Sequence, residues 1–444
     1  MKESRRNWSY IIIGLLFIFS GFALLFFPMT FYQSVSRLVA FIIGATGVTR
    51  TFQSLVIADK SKSNRDRFLL MISGIAQIIF ALWIAQYTET TYRWLLHLIG
   101  YYQLIMGIVS LISYILLVRN QEKRRFHRLA YGVVHLIFAV FSFTATKDSR
   151  SVTLILGVYA IFIGFTYVND GRGVFIQPDT ENKLKRKVRF PLPIIFNALL
   201  PTRVLNRINQ YIAGELDIDV ELEQHSMVQN IDNQQTYDVM QILIHAGSNA
   251  FDIIGHMNIV YKEKVYSYGN HDIDSRQLFD AIGDGVLVVV DKDAYIDFSI
   301  KNGDNLVIEY DVLLNQEQTE ALVEKLAEIK SSVMSWRPTT PTQLASYGGE
   351  LMRAIPSAQF YKFVKGKFKT YFVFGTNCVM LSDEIIGTSG LDLFLLVGIL
   401  TPGTYYDYLE KEFQKANSIV ISRKVHHNRL QAFIEDRTDN KLLN

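Results

Sequence analysis

Six apolar stretches, near 10–28, 38–57, 68–87, 94–118, 128–145 and 151–168, decide most of what this chain can become. A helix needs about 20 apolar residues to cross a hydrocarbon core of about 30 Å. Most of the six meet that length, and the last two, which are shorter, gain their assignment from the repeat described below. The first stretch follows Lys2, Arg5 and Arg6, as the core of a signal peptide would. Its continuation "SGFALLFFPMTFYQS" offers a long apolar run and no small-residue cleavage site, so it reads as a retained helix.

The six segments repeat. "GLLFIFSG" (14–21), "GIAQIIFA" (74–81) and "GVVHLIFA" (132–139) align without gaps in the odd segments, and Gly44, Gly100 and Gly157 align in the even ones. The unit is therefore a helical hairpin of nearly 60 residues present three times. Small residues seven apart lie on one face of each odd helix and permit close helix approach. Arg50, Gln77, His97 and His135 sit in or near the apolar segments. Intramembrane ionisable groups suggest a transport pathway by default. No span carries an acidic partner, however, so interhelical hydrogen bonding or an interfacial position is the better expectation. This pattern, over about residues 8–170, resembles the HdeD-type family of short-repeat membrane proteins. That resemblance implies an all-α six-helix bundle and says little about activity.

Orientation follows from basic residues in the short flanks. One side collects Lys2, Arg5, Arg6, Lys60, Lys62, Arg65, Arg67, Arg119, Lys123, Arg124, Arg125 and Arg128. It continues with Arg172, Lys183, Lys185, Arg186, Lys187 and Arg189, whereas the other side holds Arg37, Arg93, Lys147 and Arg150. Eighteen against four places both termini in the cytoplasm of a multi-pass protein, expected in a bacterial cell membrane. A net charge of +3 gives no reason to expect nucleic acid, and one cysteine excludes an intramolecular disulfide.

Three regions result: a membrane domain over 1–170, a basic and amphipathic linker over 171–235, and an α+β domain over 236–444. The linker's basic run could bind anionic headgroups, with the apolar segment beyond lying in the interface. A solvated linker followed by an ordinary packing helix fits it equally well. In the last region "YDVMQILIHAG", "GHMNIVY", "KVYSYG", "GVLVVVD", "AYIDFSI" and "NLVIEYDVLL" read as strands. "NQEQTEALVEKLAEIKSSVMSW" reads as a helix capped by Asn315, and "FYKFVKGKFKTYFVFG" as a hairpin. The hairpin runs into a short helix opened by Asn377 and Cys378, and "TPG" starts another.

The lone Cys378 admits two readings: an apolar filler, or a nucleophile whose thiolate is stabilised by a helix N-terminus. A nucleophile needs a base and a group that orients the base. His97, His127 and His135 belong to the membrane half, His225 to a polar linker, and His426 and His427 to a charged C-terminal segment. His245, His256 and His271 remain.

"GHMNIVYKEKVYSYG" followed further on by "TNCVMLSDEIIG" is similar to the permuted papain-like superfamily, which includes NlpC-type thiol hydrolases and lecithin–retinol acyltransferase-like enzymes. The resemblance, over about 236–415, implies a domain with an antiparallel sheet. Its histidine matches His256, its cysteine matches Cys378, and the asparagine before the cysteine in the acyltransferase branch matches Asn377. The family often has a histidine on the second strand, where this chain has Ser267 or Tyr268; Asn270 or Asp272 in "GNHD" is the expected replacement.

The resemblance implies a Cys–His hydrolase or acyltransferase that acts on an amide, ester or thioester without metal or cofactor. The bilayer is its expected partner and a lipid or acyl compound its expected substrate. The competing expectation is a non-catalytic stress-response or transport protein whose papain-like domain binds a regulatory ligand. The charge asymmetry itself predicts that a protease-sensitive tag at the C-terminus survives protease added to intact cells and is lost only after permeabilisation. Cleavage in intact cells would reverse the orientation.

Overall fold

The computed structural model describes residues 2–56, 64–123, 125–144, 237–246, 255–301, 306–389, 401–413 and 418–428. It also describes pieces of 154–168 and the short strands at 187–189, 223–225 and 393–395. Part of the expected sixth helix and most of the linker lie outside the described residues. The chain divides into two compact units. One holds Ile12–Ile108 with Tyr131–Phe165, and the other Met1–Ile11, Val109–Ala130 and Thr166–Asn444.

Among the described residues of the apolar half, five helices have defined bounds, α1 (Lys2–Phe26), α2 (Pro28–Val56), α3 (Asn64–Gln86), α4 (Thr88–Arg119) and α5 (Phe126–Thr144), and the described residues within 154–168 are helical as well. Four contain stretches long and apolar enough to cross a membrane, at Thr30–Ser54, Phe68–Gln86, Leu96–Arg119 and Phe126–Thr144, and a shorter apolar stretch lies at Ile11–Phe26. α1 gives way to α2 at Pro28, which has no N–H to continue the ladder and is tolerated in a first helical turn.

Within the first unit the repeat has a structural counterpart. A Cβ on Gly74 of α3 would meet Thr51 Oγ1 at 2.4 Å and the Gly47 carbonyl at 2.8 Å, both on α2. On Gly107 of α4 it would meet Leu136 of α5 at 2.7 Å, and on Gly164 the carbonyl of Gly14 in α1 at 2.6 Å. Thr51, Gly107 and Gly164 each lie seven residues beyond an aligned glycine of an even segment. The close contacts thus join an odd helix to the even helix of a neighbouring hairpin, with the first meeting the last. His135 of α5 hydrogen-bonds Gln103 of α4, while His97 Nδ1 lies 2.7 Å from the Arg93 carbonyl of its own helix. Such bonds are the ordinary fate of polar side chains between membrane helices.

The second unit is built on an antiparallel sheet. Its strands are β2 (Glu223–His225), β3 (Asp238–Ala246), β4 (His256–Tyr261), β5 (Lys264–Gly269), β7 (Val286–Asp291), β8 (Leu306–Leu314), β9 (Val333–Ser335), β10 (Gln359–Phe363) and β13 (Val420–His427). They run in the order β2-β13-β8-β3-β4-β5-β7-β10-β9. Two small pairs stand apart: β1 (Lys187–Arg189) with β12 (Leu393–Leu395), and β6 (Ile282–Asp284) with β11 (Thr370–Phe372). Side chains alternate between two cores. Met240, Ile242, Ile244, Met257, Ile259 and Tyr261 face the helices Gln316–Ser331, Cys378–Ile386 and Pro402–Phe413. Leu243, Val260, Val265, Val286 and Val288 face the helices Lys292–Lys301 and Tyr347–Ala354. The Gln316–Ser331 helix begins with a capping box between Asn315 and Gln318, as its sequence suggests.

Four elements differ from their sequence reading, the first being the end of "NQEQTEALVEKLAEIKSSVMSW", where Val333–Ser335 leaves the helix as strand β9 and pairs with β10. "AYIDFSI" is helical, because Tyr295, Phe298 and Ser299, spaced three and four apart, turn together onto the sheet. "FYKFVKGKFKTYFVFG" is not a hairpin: Gly366, at φ 81°, and a 3-10 turn at Lys367–Lys369 send β10 to β7 and β11 to β6. The segment with His426 and His427 is a sheet strand, in which His426 Nε2 lies 2.7 Å from Glu309 Oε2 and His427 is buried.

Overpacking a tight contact costs about 1–3 kcal/mol. Gly74→Val, which drives a branched side chain into the backbone of α2, should lower thermal stability in detergent by that amount. Ile79→Val, at an exposed position of the same helix, should change it by less than about 0.5 kcal/mol.

Candidate active site

Cys378 is the first residue of its helix, and Asn377 caps that helix by accepting the Met380 N–H at 3.0 Å. A cap of this kind contributes about 1 kcal/mol and fixes where the helix starts. The Asn377 amide also donates to the Val373 carbonyl at 2.9 Å, tying the helix start to the chain leaving β11. Tyr405 donates to buried Asp383 and Ser382 to the Met257 carbonyl, which seat the helix against the sheet at β4.

The structure brings Cys378 and His256 together. The thiol shares a hydrogen bond with His256, and its sulfur accepts from the backbone N–H groups of Met257 and Val379. Burial alone pushes the thiol pKa up, since only 4 % of Cys378 is exposed. The His256 charge, that hydrogen bond and the two backbone donors outweigh burial, and the net shift is downward.

The third position is occupied by Ser267, whose Oγ lies 3.0 Å from His256 Nε2. Pairing of β4 with β5 sets Ile259 opposite Tyr266. The same register continued puts Ser267 diagonally beside His256 on one face. Asn270 and Asp272 are held elsewhere. The Asn270 amide donates to the Asp280 carbonyl, and its Oδ1 packs against Gly283. Asp272 is buried, accepting from Lys362 Nζ at 2.5 Å, Gln343 Nε2 at 2.8 Å and the Asp274 N–H at 3.2 Å. It is a structural carboxylate neutralised by Lys362, so the expectation that either residue orients the histidine is replaced by Ser267.

Behind Ser267 lies a buried polar network. Tyr295 shares side-chain hydrogen bonds with Ser267, Asn258, Ser299 and Tyr347. Asn258 Nδ2 donates to Tyr295 Oη and to His245 Nε2, each at 3.0 Å. Asn258 carried a legible signal, an amide two residues from His256 on an apolar strand. Tyr295 was hidden by the strand reading of its helix. Two tyrosines lie close enough to the thiol to feel its charge. Tyr268 and Tyr371 both have raised pKa values, through burial first and then charge including that of Cys378, so both stay protonated. Tyr268 donates to the Phe368 carbonyl at 2.9 Å, while the hydroxyl of partly exposed Tyr371 has no hydrogen-bond partner among the described residues.

His245 and His271 flank the pair. Burial, then the charges of His256 and His426, push His245 down to about 3. Burial, then the charges of His256 and Arg276, do the same to His271. Among the described residues no group of three or more His, Cys, Asp or Glu is arranged to hold a metal ion.

Residues 12–86 and 72–144 each match the family described as "Short repeat of unknown function (DUF308)", so the N-terminal region carries the repeat of these membrane-associated, HdeD-like proteins. No curated protein and no solved structure matches the chain.

The buried histidines predict acid sensitivity. His245 titrates lower when folded than its ordinary value, so the folded form binds fewer protons below pH 6.5. Its stability contribution is complete above that pH and falls as the pH drops towards 3. Going from pH 7 to pH 5 should cost about 2 kcal/mol through His245 alone. Denaturant midpoints of the purified protein at the two pH values check this, and equal midpoints would refute a neutral buried His245.

Proposed function

We propose that the protein is a membrane-embedded thiol hydrolase or acyltransferase with Cys378 as nucleophile and His256 as base. The observation that carries this reading is a helix-capped thiol that stays acidic despite burial because it faces an imidazole. The arrangement is similar to that of the permuted papain-like enzymes, whose histidine-on-strand and cysteine-on-helix order the chain follows.

With Nε2 held by Ser267, Nδ1 of His256 is left to take the Cys378 proton. The thiolate attacks the carbonyl carbon of an amide, ester or thioester. Of the first helical N–H groups, Val379's serves the sulfur and Met380's serves Asn377, which leaves that of Cys378 for the forming oxyanion. Tyr371, protonated and close to the thiol, supplies a second donor. When the intermediate collapses, His256 returns its proton to the leaving amine, alcohol or thiol. Water, or the hydroxyl or amine of a second acceptor, then gives its proton to His256, attacks the acyl-thioester and regenerates Cys378. The bilayer tether favours a lipid or acyl substrate, and the charge asymmetry favours a reaction at the cytoplasmic face.

A second reading, a structural thiol in a ligand-binding domain, draws on the low exposure of Cys378. Chemistry separates the two. A thiol-directed electrophile at pH 6 should label Cys378 rapidly, and His256→Gln should slow labelling by about 10²-fold or more. Slow labelling unaffected by His256 favours the structural thiol. In lipid extract, mass spectrometry should find an acyl adduct on Cys378 that is absent from Cys378→Ala. With an identified substrate, Tyr371→Phe should lower kcat by about 10²-fold while leaving electrophile labelling unchanged.

A further inference from the structure

The loop between Gln277 and Ile282 displays apolar side chains in a conformation that side chains ordinarily avoid. Leu278, Phe279 and Asp280 have φ of 50°, 53° and 65° in succession. Each left-handed residue other than glycine costs about 1–2 kcal/mol. Leu278 is nevertheless 62 % exposed and Phe279 98 % exposed. The loop is held in shape. Gln277 and Ile282 exchange backbone hydrogen bonds, Asn270 donates to the Asp280 carbonyl, and Arg276 pairs with the Asp280 carboxylate.

Where the loop points follows from strand register. Asp284 of β6 lies opposite Thr370 of β11, and Ile282 opposite Phe372. Thr370 hydrogen-bonds Asn120, just past the end of α4. Ile282 and Phe372 pack on Val109, Ile112 and Leu116, inside the apolar stretch Leu96–Arg119. At 1.5 Å per residue these positions lie roughly 5–15 Å back along the helix from Arg119. Passing from Asp284 to Ile282 therefore runs from the polar end of α4 into its apolar part, and Leu278 and Phe279 lie beyond Ile282. Phe374, 43 % exposed, follows β11 beside them, where the Val373 N–H donates to the Ala281 carbonyl.

We propose that Leu278, Phe279 and Phe374 form a wedge that inserts into the lipid bilayer beside α4. The occupant of this apolar tip is the acyl-chain layer itself, because the strands that carry it are docked on a membrane-spanning stretch and lead towards its apolar part. Insertion hides large apolar side chains from water, which offsets the strain of the left-handed turn. β11 leads within six residues from Phe372 to Cys378, so the wedge also sets the depth of the thiol.

The test does not depend on catalysis. In full-length Cys378→Ser protein, which has no other thiol, Phe279→Cys and separately Leu278→Cys are labelled with an environment-sensitive fluorophore. Each is reconstituted in phosphatidylcholine–phosphatidylglycerol vesicles. Ile79→Cys on α3 serves as a lipid-facing reference and Val323→Cys, on the Gln316–Ser331 helix, as an aqueous one. The wedge predicts at least a twofold loss of fluorescence with acyl-chain spin-label quenchers and no more than marginal quenching by iodide, as for Ile79→Cys. Iodide quenching equal to that of Val323→Cys at both loop positions overturns it. So does shielding from both quenchers, which would mean a protein partner covers the loop.

Discussion

His256 can meet Cys378 only because β4 is locked between β3 and β5 in a single register. His245 opposite His256 on one side, and the Ile259–Tyr266 pairing on the other, leave β4 no freedom to slide. A slip of one residue would turn every side chain of the strand to the other face. Met257, Ile259 and Tyr261 would lose the core that carries the thiol helix, and His256 would lose Ser267. Burial of those three side chains is worth several kcal/mol, so the packing that stabilises the domain is also what aligns the pair. Asn377 does the corresponding work on the helix, where the cap determines which residue comes first.

The group orienting His256 is neutral. A carboxylate would stabilise the imidazolium by charge, whereas Ser267 offers only a hydrogen bond, steadied by Tyr295 and through it by Asn258. A hydroxyl fixed by two partners orients the ring without adding a charge beside it. The neighbouring histidines fit that electrostatic setting. His245 and His271 are kept uncharged by burial and by His256, so they add no like charge beside His256 and Cys378. Asp272, the acid expected from the sequence to orient His256, is engaged by Lys362, which offsets a negative charge that would otherwise oppose a thiolate.

What could be read from the sequence tracks the range of the interactions involved. The repeat glycines, the strands β3, β4, β5, β7 and β8, the Asn315 cap and the junction at Asn377–Cys378 announce themselves through local pattern. The thiol's meeting with His256 was legible only through likeness to other proteins. The resemblance points to Ser267 or Tyr268 at the position beside His256, but chemistry alone favours the amide of Asn270 or the carboxylate of Asp272; only the strand register, which sets Ser267 diagonally beside His256, decides for the serine. Tyr295 was missed because "AYIDFSI" alternates like a strand although its polar positions also fit a helix turn. β13 escaped for another reason: Arg423, Lys424 and His426 are matched by Glu410, Asp311 and Glu309 on neighbouring elements, so a charged segment can sit in a sheet.

β11 links the two ends of the functional argument. It is three residues long, and each of them has a different neighbour: Thr370 the polar end of α4, Tyr371 the thiol, and Phe372 the apolar part of α4. A lipid entering beside the wedge would bring its polar part to the level where Tyr371 is partly exposed, with its chains remaining beside Phe279 and Phe374. The ester, amide or thioester bonds of lipids lie at that boundary between polar and apolar layers. Were the substrate a lipid, as proposed, a site on this strand would not have to extract it fully into water, which avoids a cost of about 0.8 kcal/mol for each exposed methylene. On the proposed reading, that saving is what a thiol site gains from lying beside an apolar helix.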